Sequence, residues 1–163
     1  MTRTLILLRH GKSAYPDDVD DHDRPLSPRG RREAGLAGRW IRASAPPIDA
    51  VLCSSATRTR RTLAEAGIDA PVDYRDSLYL TGPAALVEEI RSVPKDVRTL
   101  LVVGHEPTLS ATVLDLISDH GTDAAQQVAE KFPTSSIAVL TVRGRWDELE
   151  AGRAELVDFH IPR

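Results

Sequence analysis

Leu5-Ile6-Leu7-Leu8 is an unbroken apolar run, opened by Thr4 and cut off by Arg9-His10-Gly11. A run of this length suits a strand buried on both faces and is too short for a helix to be the easier reading. Strands of that kind belong to open α/β sheets, where ligands sit outside the carboxyl ends of the strands. This one delivers a cation, an imidazole and a glycine to that end. Arg9 offers a planar fork of donors suited to phosphate or carboxylate. His10 can act as nucleophile, base or metal ligand. Gly11 lets the backbone turn closely and brings peptide N–H groups near whatever binds.

The same pattern returns along the chain. Asp49-Ala50-Val51-Leu52-Cys53 is a second short buried strand, ending in Ser54-Ser55, and Thr99-Leu100-Leu101-Val102-Val103 is another, ending in Gly104-His105-Glu106-Pro107. Val72-Asp73-Tyr74 reads as a weaker strand. Between them lie helices. Ser27-Pro28 supplies an N-cap and a first-turn proline, and Ala34, Leu36, Ala37, Trp40 and Ile41 form an apolar stripe that Pro46-Pro47 ends. Ala56 to Ala66 is a helix stopped by Gly67, and Thr81-Gly82-Pro83 opens one with Leu86, Val87 and Ile90 facing inward. Helices over Thr108–Ile117 and Asp123–Lys131 come next. Two strands follow, Ser136–Val142 and Glu155–Phe159, the second antiparallel to the first and joined to it through Trp146. The expected fold is a mostly parallel sheet with helices on both faces and an antiparallel C-terminal strand pair. The length suits one domain over residues 1–163.

Right-handed crossovers place the carboxyl ends of the parallel strands on one edge. Arg9-His10, Ser54-Ser55 leading to Arg58, and Gly104-His105 therefore converge there. Two guanidinium forks, a helix start and two histidines make a pocket for a tetrahedral dianion. Cations nearby also disfavour a charged imidazole, so a histidine in the pocket stays neutral and nucleophilic near pH 7.

Composition narrows the partners. A net charge of -3 gives no reason to expect nucleic acid or an anionic membrane. The single Cys53 cannot form an internal disulfide, which fits a reducing cytoplasm. No run approaches a membrane span, and the apolar start is too short and too soon broken for a signal peptide. His22, His120 and His160 lack metal-ligand spacing, and Walker and dinucleotide glycine patterns are absent. The acidic stretch from Asp17 to Asp23 reads as a solvated loop.

Four segments carry a resemblance to a known family. Leu8-Arg9-His10-Gly11, Arg24-Pro25-Leu26-Ser27-Pro28-Arg29-Gly30, Ser54-Ser55-Ala56-Thr57-Arg58-Thr59 with Thr62, and Val102-Val103-Gly104-His105-Glu106-Pro107 occur in this order. Together they resemble the histidine phosphatase superfamily, the phosphoglycerate-mutase-like proteins. Asp21-His22-Asp23-Arg24-Pro25-Leu26, the short length and the hairpin at Trp146 resemble its small SixA-type phosphohistidine phosphatases. Larger relatives insert a subdomain after the second arginine, whereas only a strand and a helix lie here between Ala66 and Val97.

The resemblance implies that His10 attacks phosphorus and carries it as phosphohistidine. It implies that Arg9, Arg58 and His105 bind the phosphoryl oxygens, with Gly11 and Ser13 as weaker contacts, and that no metal or cofactor is needed. The implied substrate is a phosphorylated protein, with inorganic phosphate as product. A phosphomonoesterase or mutase for small phosphorylated metabolites, and a phosphate-binding module without turnover, are the alternatives. Lys12 and Ser13 read equally as phosphate contacts or as exposed loop residues. Two departures stand out. Larger relatives place an acidic proton donor soon after the second arginine segment, often following a leucine, but Asp76-Ser77-Leu78-Tyr79-Leu80 has no acid after Leu78. Glu106 stands where asparagine is common. Asp76 and Glu106 are the candidate proton donors.

Overall fold

The computed structural model describes all residues from Met1 to Arg163. It contains strands β1 (Thr2–Arg9), β2 (Ala50–Ser54), β3 (Val72–Arg75), β4 (Thr99–Gly104), β5 (Ile137–Arg143) and β6 (Ala154–His160). The helices are α1 (Pro28–Ser44), α2 (Thr57–Ala66), α3 (Pro83–Arg91), α4 (Thr108–Leu116) and α5 (Asp123–Glu130). One sheet of six strands runs in the order β3-β2-β4-β1-β5-β6. The four strands β1 to β4 are parallel, and β5 is antiparallel to both β1 and β6. This is the mixed α/β fold that the strand and helix pattern predicts.

The unbroken apolar runs follow from burial on two sides. Leu5 and Leu7 of β1 pack with Leu100 and Val102 of β4 into a cluster with Leu86, Ile90, Leu109, Leu116 and Trp146. Ile6 and Leu8 point the other way, with Leu101 and Val103, onto Ala37, Ile41 and Leu63. Helices α3, α4 and α5 therefore cover one face, and α1 and α2 the other. The caps are as expected: the Ser27 hydroxyl accepts from the Gly30 N–H at 3.1 Å, and Gly67 takes the left-handed conformation (φ 67°) that ends α2. Trp146 is fully buried and donates its indole N–H to the Val97 carbonyl at 2.8 Å, which pins the β5–β6 connection under the sheet.

Register places the functional edge. Arg9 pairs with Gly104 and Cys53 with Val103, so β1, β2 and β4 end level with one another. The next residues out, His10 and His105, are brought side by side, with Ser54 beside them. The N-terminal end of β5 arrives at the same edge, because Ile137 pairs with Leu8.

Helices α1 and α2 meet closely enough to exclude a methyl group. A Cβ at Gly38 would lie 2.0 Å from the Ala66 carbonyl oxygen. Gly38→Ala should therefore force the helices apart and cost about 1–3 kcal/mol, the usual penalty for overpacking. Chemical denaturation measures this directly; an unchanged unfolding midpoint would show that the contact yields freely.

Candidate active site

His10 follows the last residue of β1 and is 8% exposed. Its backbone N–H donates to the Gly104 carbonyl, which ties it to the end of β4. Its Nδ1 lies 2.8 Å from the Gly11 carbonyl oxygen. A carbonyl can only accept, so Nδ1 carries the proton and Nε2 presents its lone pair. The Gly11 N–H donates to Thr62 Oγ1 at 2.8 Å, and that hydroxyl donates to the Arg58 carbonyl at 2.7 Å. The His10 loop and the Arg58 segment are thus stitched together. A Cβ at Gly30 would lie 2.0 Å from the Lys12 carbonyl oxygen, so only glycine lets the start of α1 press against this loop.

The His105 ring centroid lies 5.3 Å from that of His10. His105 Nε2 meets the Ser54 hydroxyl at 2.8 Å, and the Ala56 N–H donates to the same hydroxyl. The fully buried Ser54 hydroxyl has no other acceptor, so its proton is directed at Nε2, and the proton of neutral His105 lies on Nδ1. Arg9 donates through one terminal nitrogen to the Phe132 carbonyl at 2.8 Å. Arg58 is 7% exposed and donates to the Asp21 carbonyl at 2.8 Å and to the Asp21 carboxylate at 3.1 Å. Arg9 Nε, Arg58 Nε and His105 Nδ1 are all buried without a partner inside the protein. Buried donors in that condition are hydrogen-bonding capacity that the protein itself leaves unused.

Electrostatics keep both histidines neutral. His10 is held down to about 3, first by burial and then by the neighbouring His105, Arg9 and Arg58, against the opposing bond to Gly11. His105 is held down to about 4, by burial and then by Arg58. Arg9 is lowered by burial, which the Glu106 carboxylate opposes. Asp21 is held down to about 2, chiefly by the hydrogen bond from the Tyr79 hydroxyl, with Arg24 and Arg58 adding to it. Cys53 is buried, and burial pushes its thiol up to about 12, so it is no rival nucleophile.

Other residues singled out in the sequence fall differently. Ser13 is buried, and its hydroxyl accepts from Arg24 at 2.8 Å. Lys12 is exposed, and its carbonyl receives the Ser27 N–H and hydroxyl. The Glu106 carboxylate accepts from the Ser110 N–H and hydroxyl at 2.6 and 2.7 Å, capping the first turn of α4. Asp76 is exposed at the start of a short 3-10 turn. Two residues that the sequence reading passed over stand in the site. Tyr79, which follows Leu78, sets its ring 5.7 Å from His105 and 4.7 Å from His22. The acidic loop is solvated as expected, with Asp17, Asp18, Asp20, Asp21 and Asp23 all exposed, but the Asp21 carboxylate also binds Arg58, Arg24 and Tyr79. The Asp-His-Asp-Arg pattern was visible, but which acid of the run pairs with the arginines was not.

Comparison with known proteins agrees with this geometry. Residues 5–79 match the family model of the histidine phosphatase superfamily (branch 1). A solved structure provisionally named as the phosphohistidine phosphatase SixA of Nakamurella multipartitia superposes with a TM-score of 0.92 at 42% identity, over 99% of this chain and 97% of the other. The chain belongs to the histidine phosphatase superfamily. Within it, the similarity is to the SixA-type branch. A protein of Mycobacterium tuberculosis is 61% identical over 158 residues, which is 96% of this chain and 100% of that protein. The phosphohistidine phosphatase SixA of Escherichia coli is 27% identical over 144 residues, covering 85% of this chain and 84% of that one. No helix of this histidine phosphatase superfamily member is long and apolar enough to cross a membrane.

The depressed histidines give a pH signature. An unfolded histidine titrates near about 6.5, so on acidification the unfolded chain takes up protons that folded His10 and His105 refuse. Their contribution to stability is present in full above about 6.5 and is lost as pH falls toward about 4 and about 3, the folded values. Nitrogen-15 NMR should find both rings neutral at pH 5; midpoints near 6.5 would contradict the burial that sets them.

Proposed function

We propose that this chain removes phosphoryl groups from phosphohistidine carried on protein, with His10 as the nucleophile. That it is a hydrolase of the phosphatase kind follows from its family. The observation that carries the finer reading is the bond from His10 Nδ1 to the Gly11 carbonyl, which leaves Nε2 free beside His105 and two arginines.

In the first step the Nε2 lone pair forms a bond to phosphorus as the bond from phosphorus to the substrate imidazole breaks. The departing imidazole takes a proton from solvent on its other ring nitrogen and leaves neutral. The proton stays on Nδ1 and is donated to the Gly11 carbonyl, which steadies the positive charge that His10 acquires. Arg9, Arg58 and His105 Nδ1–H hold the phosphoryl oxygens through the transition state. In the second step water attacks phosphorus, His10 leaves, and inorganic phosphate is released. One P–N bond is exchanged for another in the first step, so little driving force is required of the protein.

Two further features support this substrate class. Asp21 is held ionised near neutral pH and Glu106 caps a helix, so neither stands as a ready proton donor. Expelling an alkoxide without such a donor is slow, whereas imidazolium has a pKa of only about 6.5. Between α2 and β4 the chain builds only β3, a short turn and α3, which supports a site open to a protein-borne phosphate.

His10→Ala should abolish turnover while preserving the fold, and chelators should leave the wild-type rate unchanged. Across aryl phosphates the rate should depend steeply on leaving-group pKa, with phosphohistidine protein far ahead of sugar phosphates. Asp76→Asn and Glu106→Gln should each stay within about tenfold of wild type on phosphohistidine, a barrier change near about 1.4 kcal/mol. A flat leaving-group dependence together with collapse of one variant would identify that residue as a general acid. The substrate would then be a small phosphomonoester.

A further inference from the structure

Three arginines gather at this edge of the sheet, and one carboxylate lies between two of them. Asp21 Oδ2 accepts from Arg58 at 3.1 Å and from the Tyr79 hydroxyl. Asp21 Oδ1 accepts from Arg24 Nε at 3.0 Å and lies 2.9 Å from the second Arg24 nitrogen. The Asp21 carbonyl takes the remaining terminal nitrogen of Arg58 at 2.8 Å. Arg24 reaches on to the Ser13 hydroxyl, three residues from His10. Arg9 is served by a different carboxylate, that of Glu106, which acts on it through space.

From this arrangement we propose that Asp21 is a specificity-determining residue: it offsets the charge of the arginine cluster, so that the site takes a single phosphoryl group and rejects substrates bearing a second anionic group beside it. The inference rests on the phosphatase reading and deepens it by naming the substrates that are turned away.

The physical basis is simple. Without a carboxylate at this point, Arg9, Arg24 and Arg58 would form a site for polyanions, and a phosphate ester that also carries a carboxylate or a second phosphate would bind best. With Asp21 in place, Arg58 keeps its Nε–H and the second hydrogen of each terminal nitrogen, but the field reaching a second anion is cut back. Tyr79 and Arg24 fix the carboxylate, and the hydrogen bond from Tyr79, with both arginines adding to it, keeps it charged. Its side chain is 53% exposed, so it lies at the mouth of the site, where an additional substrate anion would arrive. A phosphohistidine has no second anion on its imidazole and escapes the penalty.

The test uses two substrates that differ by one carboxylate, phenyl phosphate and 4-carboxyphenyl phosphate. For each protein the ratio of kcat/KM, carboxylated over plain, is measured at low and at high salt. In Asp21→Asn and in Asp21→Ser the ratio should rise roughly three- to tenfold over wild type at low salt, and the gain should shrink as salt is added. If Asp21 only positions Arg58, both substrates lose rate together and the ratio stays where it was, which overturns the proposal. A binding arm removes the dependence on turnover. Calorimetry of phosphate and pyrophosphate with His10→Ala, alone and combined with Asp21→Asn, should show pyrophosphate gaining more than phosphate when the charge is removed. A protein that hydrolyses neither these esters nor phosphohistidine protein fails the phosphatase reading, but the binding arm still decides the role of Asp21. Equal changes for the two anions would refute it.

Discussion

Gly11 is held from both sides, and the chemistry of the site depends on how. Its N–H is anchored to Thr62 on α2, and its carbonyl takes the Nδ1 proton of His10. The first bond fixes where the loop lies, and the second fixes which imidazole nitrogen is free. Each requires close packing behind it. Gly30 lets α1 approach the Lys12 carbonyl, and the level ends of β1 and β4 bring His105 alongside. The hydrophobic core matters for function mainly because it sets that register.

Charge is arranged with similar restraint. Burial keeps both histidines neutral, so the cations of the site are arginines, which do not give up their protons. A neutral imidazole flanked by guanidinium groups can attack a phosphoryl centre without first losing a proton, and the same guanidinium groups meet the charge on the phosphoryl oxygens. Asp21 tempers Arg24 and Arg58 by direct contact, and Glu106 tempers Arg9 through space. The site is therefore less positive than a count of its basic residues suggests.

Much of this was legible in the sequence for identifiable reasons. Strands buried on both faces need continuous apolar runs, so β1, β2 and β4 announce themselves, and the polar residues that end them are the ones at the site edge. The Ser27-Pro28 start and the Gly67 stop mark their helices by capping chemistry. What escaped notice has no local signature. Main-chain acceptors such as the Gly11 and Phe132 carbonyls are the same in every residue type. Tyr79 sits in a short turn with no periodicity to flag it, and its role appears only because α2 and the Asp21 turn fold against it. Gly38 reads as a weak helix residue until the Ala66 carbonyl is seen to lie against it. Asp21 was hidden among neighbouring acids that pair with no arginine.

The most direct test of the central claim, that Nε2 of His10 is the nucleophile because Gly11 claims Nδ1, is to trap the intermediate and locate the phosphoryl group. Rapid quenching in base during turnover, followed by peptide mass spectrometry and phosphorus-31 NMR, distinguishes the two ring nitrogens. A phosphoryl group on Nε2 of His10, forming and decaying fast enough to lie on the reaction path, is the result predicted here. Phosphorylation on Nδ1, on His105 or His22, or on no residue during steady turnover would contradict it.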